Sequence, residues 1–354
     1  MNHEQHKPTA KGVLQTVAIL LVCLTVFMAV NQVVMNKDSF KHIMVYDELK
    51  AQEWDVIFAG SSHMNNALYP VQIWEEQGFA SYNNAQTGEI LPVSYYTIKS
   101  AIETYHPKIV VLDMYMVYHN SKTGNLTWMH KSLDRMPLIN RVRAIVDLLP
   151  AGRWKEFLFP VTLYHDRWKS LGNEDFVPGR PSVTIGAVLN FTVESGLADL
   201  AYEVTPPEVK SPVVPVALDY LDRIVALCKK TNTELVLVAL PYCTSSEVEG
   251  ATHDMSLDEA RLNWLADYAA QHGLHYVNYF HLMDELGFDF GRHLYNYSHM
   301  NYLGGEIITR HLGQYLADNF DLADHRGEAA YAPWDAAVPK YRKLVDAGVA
   351  RMQP

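Results

Sequence analysis

Two kinds of hydrophobic pattern alternate through most of the chain. Short continuous apolar runs, rich in β-branched residues, occur at 55–60 (DVIFAG), 108–115 (KIVVLDMY), 234–242 (ELVLVALPY) and 274–279 (LHYVNY). Runs of this length and uniformity predict strands buried on both faces. Between them lie segments with apolar residues at helical spacing: 70–79, which opens on Pro70, then 91–106, 216–232 and 303–320. Residues 256–273 predict a further helix, capped by Ser256 with Glu259 three positions on and closed by Gly273. A second short strand and a polar turn are expected within ASYNNAQTG at 80–88. Strands alternating with helices predict an α/β domain over 54–320, a flavodoxin-like three-layer fold with a mostly parallel central sheet.

Two stretches break this pattern. Residues 120–215 carry tryptophans, tyrosines and basic residues without clean periodicity, and 203–215 is a Pro-rich loop. This region is expected to be an insertion in the domain, either a cap over a site or a membrane-facing surface. Its aromatic residues then form an acceptor groove for a sugar chain, or a small core of their own. Residues 321–354 read as a polar tail containing Pro333 and Pro339.

The most uniform apolar run is N-terminal. Residues 13–30 (VLQTVAILLVCLTVFMAV) carry no charge and approach the length that spans a bilayer as a helix. Lys7 and Lys11 precede them, and the connector at 31–53 mixes both signs of charge. The positive-inside rule places 1–12 in the cytoplasm and everything after Asn31 outside. A cleaved signal peptide is the rival reading, but FMAVNQVVMNK offers no small-residue cleavage site. An uncleaved, single-pass signal anchor is therefore expected.

Composition narrows the remaining classes. Apolar residues make up 49% of the 354, enough for a packed core and against disorder. The formal net charge is −11 and no basic cluster stands out, so nucleic acid is not an expected partner. Cys23, Cys228 and Cys243 show no zinc spacing; free thiols are expected, although spacing does not exclude a Cys228–Cys243 bond. The sixteen histidines include no HExxH or paired-ligand spacing, and no metal or cofactor is assigned.

Candidate chemistry gathers where a doubly wound sheet would collect it, at strand ends. Gly60-Ser61-Ser62-His63 follows the first strand, Asn83-Asn84-Ala85-Gln86-Thr87-Gly88 the second, and Asn296-Tyr297-Ser298-His299-Met300-Asn301 precedes the last helix. A serine needs a base to act as a nucleophile near neutral pH, the base needs an orienting partner, and the oxyanion needs fixed N–H donors. The first loop supplies a serine and one backbone N–H, Gly88 a second N–H, and His299 the base. The serines can equally be helix caps, His63 is expected to be structural, and Asp113 is either a site carboxylate or a turn former.

Taken together, GSSH after the first strand, the Asn/Gly turn and the late x-x-H-x-N-x-x-G resemble the SGNH (GDSL-like) hydrolase superfamily. Within it the chain is most similar to the membrane-anchored branch that modifies cell-envelope polymers, the DltD-like and alginate-acetylation-like proteins. The resemblance covers roughly 54–118 and 216–318. It implies Ser62 as nucleophile, Ser61 in place of the family's aspartate, His299 as base and Gly88 as the second oxyanion donor. Two positions depart from the pattern. Asn296 stands where the family has the aspartate that orients the histidine, leaving Asp289 as an alternative orienting group. No Gly-x-Asn-Asp block follows the third strand, which makes Asn84 the candidate side-chain donor, with Ser61 and His63 beside the substrate. The implied function is a serine esterase or O-acyltransferase acting on acetyl or other acyl esters of an envelope or exported polysaccharide. Its partners would be an acylated polymer or acyl donor and a membrane-bound acyltransferase. A catalytically weak binding or scaffold protein of an acylation complex, and a lipase or esterase for soluble substrates, are the other readings.

Overall fold

The computed structural model describes residues 9–35, 54–176, 183–197, 202–243 and 254–352. Most of the connector expected at 31–53 lies outside these residues. Five strands form one sheet: β1 (Val56–Ala59), β2 (Ser81–Asn83), β3 (Ile109–Asp113), β4 (Glu234–Ala239) and β5 (His275–Asn278). Their order is β2-β1-β3-β4-β5 and every pairing is parallel, as the apolar runs predicted.

Alternate residues along each strand feed two different cores. Val110 and Leu112 of β3, with Leu235 and Leu237 of β4, pack under α4 (Leu91–Tyr105) and α7 (Pro215–Thr231). Ile109 and Val111, with Val236 and Val238, pack under α9 (Tyr302–Asn319) through Ile308, Leu312 and Leu316. With helices on both faces, nearly every position of the sheet is apolar.

The edge strand β2 is covered rather than left open. Asn83 N donates to the Ile185 carbonyl at 3.2 Å. Trp54, Tyr82, Trp74, Trp334 and Tyr341 close an aromatic cluster over that edge. Trp334 and Tyr341 belong to α10 (Ala332–Met352), within the segment expected to be a polar tail. Its buried residues, Trp334, Ala337, Tyr341, Val345 and Gly348, lie on one helical face, and Trp74 Nε1 donates to Asp335 at 3.1 Å. Pro333 and Pro339 hid that periodicity, yet the helix runs through Pro339 because its apolar face is held by the cluster.

The region 120–215, between β3 and β4, shares the main core. Helices α5 (Leu126–Leu133) and α6 (Leu138–Leu148) add Met129, Leu133, Ala144, Ile145 and Leu148 to the main core beside α4. The Pro-rich stretch is irregular, as expected, over 202–214. Helix α8 (Met255–His272) is capped by Asp254, not Ser256; Glu259 turns inward to accept from the Thr205 N–H at 2.5 Å. Gly273 closes it in the left-handed conformation. No disulfide joins Cys23, Cys228 and Cys243, and Cys243 Sγ donates to the Tyr297 carbonyl at 3.1 Å.

Two helices on one side of the sheet fix the place where β1 ends. β1 runs through Gly60 into the short helix α2 (Ser62–Ala67), and then α3 (Pro70–Gln77). Helix α9 packs against α2 through glycine. A Cβ at Gly305 would fall into the Tyr69 hydroxyl and 2.8 Å from the Asn66 carbonyl oxygen. The buried Thr309 hydroxyl donates to the Ala67 carbonyl at 2.9 Å and accepts from the Tyr69 N–H at 3.0 Å, tying α9 to the end of α2. Gly305→Ala should therefore destabilise the fold by roughly 1–3 kcal/mol through overpacking, despite alanine's better helix propensity. Denaturant unfolding checks this, and a variant as stable as the wild type would mean that the two helices can separate freely.

Candidate active site

The strand order reverses between β1 and β3, and open α/β sheets hold ligands at the carboxyl ends of the strands flanking such a point. Gly60-Ser61-Ser62 leaves β1 there, and Asp113 ends β3 beside it. Gly60 has φ +131°, a conformation that favours glycine, and a Cβ there would lie 2.7 Å from Asp113 Cβ. The glycine lets the two strand ends approach.

The two serines have different partners. Ser61 is the N-cap of α2: its Oγ accepts from the His63 N–H at 3.2 Å and donates to Asp113 Oδ2 at 2.7 Å. Asp113 also accepts from the Tyr115 N–H at 3.1 Å, and the backbone N–H groups of Ser61 and Met64 favour its charged form. Burial pushes its carboxyl up to about 6 against the pull of those donors. Where the family resemblance expects an aspartate before the second serine, Ser61 and Asp113 together hold the loop. Asp113 therefore holds the turn beside Ser62.

Ser62 is half-buried, and its Oγ lies 2.7 Å from Nε2 of His299 across 237 residues of sequence. His299 begins β7 (His299–Met300), which pairs with β6 (Leu294–Asn296) as a small antiparallel hairpin just ahead of α9. The hairpin is fixed from below by Asn301. Its side chain donates to the Arg292 and Leu294 carbonyls at 2.8 and 3.2 Å, and caps α9 by accepting from Gly304 N.

The far nitrogen of His299 faces two acceptors. Nδ1 lies 2.8 Å from Ser298 Oγ and 3.1 Å from Asn296 Oδ1. Ser298 Oγ is itself 3.3 Å from Asn296 Oδ1, which also accepts from the Ser298 and His299 N–H groups at 3.0 and 2.9 Å. This network assigns the proton to Nδ1 and leaves Nε2 free to accept from Ser62. Ser298 is the group that sequence reasoning did not pick out; its only signal was its place next to the histidine. Burial pushes the His299 imidazole down to about 4. Tyr295 and His63 stack on its ring at 5.6 and 4.8 Å between centroids. His63 is buried between His299 and Tyr115 and is held well below its ordinary pKa by burial and by His299.

The other candidates have contacts of their own. Asp289 caps the turn of helix at 290–293 by accepting from Gly291 N at 2.8 Å, and its own N–H donates to His293. It does not orient His299. Asn84 is engaged by Arg135, which donates to its carbonyl at 2.7 Å and to its Oδ1 at 2.9 Å. Gly88 sits at φ +65° with Trp128 packed over its Cα. The loop carrying both stays tied to the site, because Gln86 N donates to the Gly60 carbonyl at 3.0 Å. Among the described residues no group of metal-ligating side chains is clustered.

No protein family and no curated protein matches this chain. Among solved structures, a Bacteroides fragilis protein named by inference as an acylhydrolase aligns over 77% of this chain and 94% of its own. Its identity is 10% and its TM-score 0.39. A Parabacteroides merdae protein named by inference as a GDSL-like lipase aligns over 75% of this chain and 97% of its own, with 11% identity and a TM-score of 0.34. At these values neither likeness bears on the chemistry of this chain.

The imidazole of His299 should titrate near pH 4 in an NMR pH series, its resonance identified by loss in His299→Gln. Asn296→Asp should raise that midpoint, because a carboxylate beside Nδ1 favours the imidazolium. The two backbone N–H groups at Asn296 Oδ1 already suit a carboxylate. A wild-type midpoint near the ordinary 6.5, or no rise in the variant, would contradict this electrostatic account.

Proposed function

We propose that this chain is a serine esterase or O-acyltransferase of the SGNH type. The observation that carries the reading is the 2.7 Å contact between a half-buried Ser62 hydroxyl and His299 Nε2 at the switch point of the sheet. Ser62 Oγ attacks the ester carbonyl and its proton passes to Nε2. The Nδ1–H holds the ring through Ser298 and Asn296. The Ser62 N–H, at the start of α2 and outside its helical ladder, stabilises the oxyanion, with Gly88 as the second donor. Collapse returns the proton to the leaving oxygen and leaves an acyl group on Ser62. Water or a second hydroxyl then takes that acyl group by the same steps in reverse.

The helix α1 (Ala10–Val34) is long and apolar enough over Ala10–Asn31 to cross a membrane, a test that a signal sequence also passes. We read it as an anchor that holds the domain outside the cytoplasm. An anchored acyl-transferring serine suits acetyl or other acyl esters of an envelope or exported polysaccharide. A membrane-bound acyltransferase would then be the source of the acyl group.

Asn296 supports a second reading. An amide orients the histidine but adds no charge to stabilise the imidazolium. On that reading the chain is a catalytically weak member that binds polymer or scaffolds an acylation complex.

Turnover of p-nitrophenyl acetate by the full chain in detergent decides between them. On the enzymatic reading His299→Ala lowers the rate by about a hundredfold or more, and Ser62→Ala at least as far. Activity should persist well below pH 6.5 and fall as His299 gains a proton near pH 4. A limb near pH 6 would instead report Asp113. A folded wild type no faster than its variants, and unlabelled at Ser62 by an organophosphonate, would leave the scaffold reading.

A further inference from the structure

Helix α1 does not leave the domain as a free tether. Its first turns are solvent-facing and apolar, whereas Asn31, Val34 and Met35 at its end are buried. They are buried against residues 159–175. Val161 N donates to Asn31 Oδ1 at 2.8 Å, and Arg167 donates to the Val34 and Met35 carbonyls at 3.0 and 2.5 Å. A cation thus satisfies carbonyls that the helix end leaves unpaired, where its dipole is negative. Higher up, the Phe27 and Phe159 rings meet edge-on at 5.6 Å.

The same short segment exposes large apolar side chains. Phe159 is 39% exposed, Leu163 48%, Trp168 66% and Phe176 65%. Lys169 lies 5.9 Å from the Trp168 ring centroid. A tryptophan beside a cation, among exposed aliphatic and aromatic residues, is the composition of a membrane–water boundary.

Helix geometry sets the depth. The apolar span of 22 residues is about 33 Å long at about 1.5 Å per residue, against a hydrocarbon core of about 30 Å. Phe27 lies four residues before the end of that span, so it sits about 6 Å inside it. Phe159, in contact with Phe27, is drawn to the same level. That depth matches the roughly 5–10 Å reached by segments lying in the headgroup boundary.

We propose that residues 159–176 form a collar around the exit of α1 that lies in the outer boundary of a lipid bilayer. Phe159, Leu163, Trp168 and Phe176 insert, and Arg167 and Lys169 sit at headgroup level. The proposal rests on the reading of α1 as an anchor, but not on the chemistry of Ser62. A collar of this kind fixes the height and tilt of the domain above the membrane.

The test uses the full chain reconstituted in phosphatidylcholine vesicles. Resistance to alkaline extraction reports the anchor first; release of the chain would overturn both the anchor and the collar. For a resistant chain, the difference spectrum between wild type and Trp168→Phe isolates one of the seven tryptophans. It should lose intensity in lipid brominated near the top of the acyl chains, relative to unbrominated lipid. Phe159→Ser with Leu163→Ser should reduce that quenching without releasing the chain. A difference spectrum that is the same in both lipids would overturn the collar and leave the anchor standing.

Discussion

The site depends on how closely α9 can approach α2. The serine and the histidine sit on different elements, one leaving the sheet and one arriving from a hairpin, and no local sequence sets their distance. Gly305 allows the approach against Tyr69 and Asn66, and Thr309 bonds across it. Asn301 then joins the start of α9 to the backbone that carries β6. All three contacts are buried, in an interior packed too densely to absorb an added methyl group without movement. A shift there passes directly to the gap between Ser62 Oγ and His299 Nε2.

Around that gap, charge and geometry are separated. The buried carboxylate of the neighbourhood, Asp113, is engaged by Ser61 and by backbone N–H groups, where it shapes the loop. The imidazole is oriented by neutral groups, Ser298 and Asn296, and stacked between rings. Burial without a charged partner depresses the basicity of His299, so the histidine stays neutral over a wide pH range but gains a proton less willingly in a reaction. Both proposed readings use the same arrangement. They differ in whether a hydrogen-bonded amide and hydroxyl support the imidazolium well enough for turnover.

The sequence made the sheet legible because its strands are buried on both faces, which leaves continuous apolar runs between amphipathic helices. The pairing of Ser62 with His299 was legible as two motifs at strand and helix ends. What escaped depends on contacts distant in sequence. The face of α10 is broken by prolines and becomes helical only against the β2 edge cluster. Helices α5 and α6 share a core with α4 that neither shows alone. The two readings of the adjacent serines, cap and nucleophile candidate, are divided between them. Ser61 caps α2, which frees Ser62 to face His299; that division depends on Asp113, 52 residues further along the chain.

The stretch that resisted the sequence, 120–176, gains a role from its contacts. At one end Trp128 of α5 covers Gly88 and Arg135, in the turn after α5, holds Asn84, so together they grip the loop that hydrogen-bonds to Gly60 beside the serines. In its middle the buried Arg141 of α6 donates to the Asp134 and Leu158 carbonyls at 3.1 Å each. At its far end Val161 and Arg167 grasp the end of α1. These contacts form one continuous path from the loop beside Ser62 to the apolar helix, made of packed side chains and hydrogen bonds to backbone. On the anchored reading, the distance from bilayer to serine is then set by this strut rather than by the length of residues 36–53. On the proposed function, a serine held at a fixed height would meet an acyl donor at the membrane surface in one geometry, which a loosely tethered domain would have to find by diffusion.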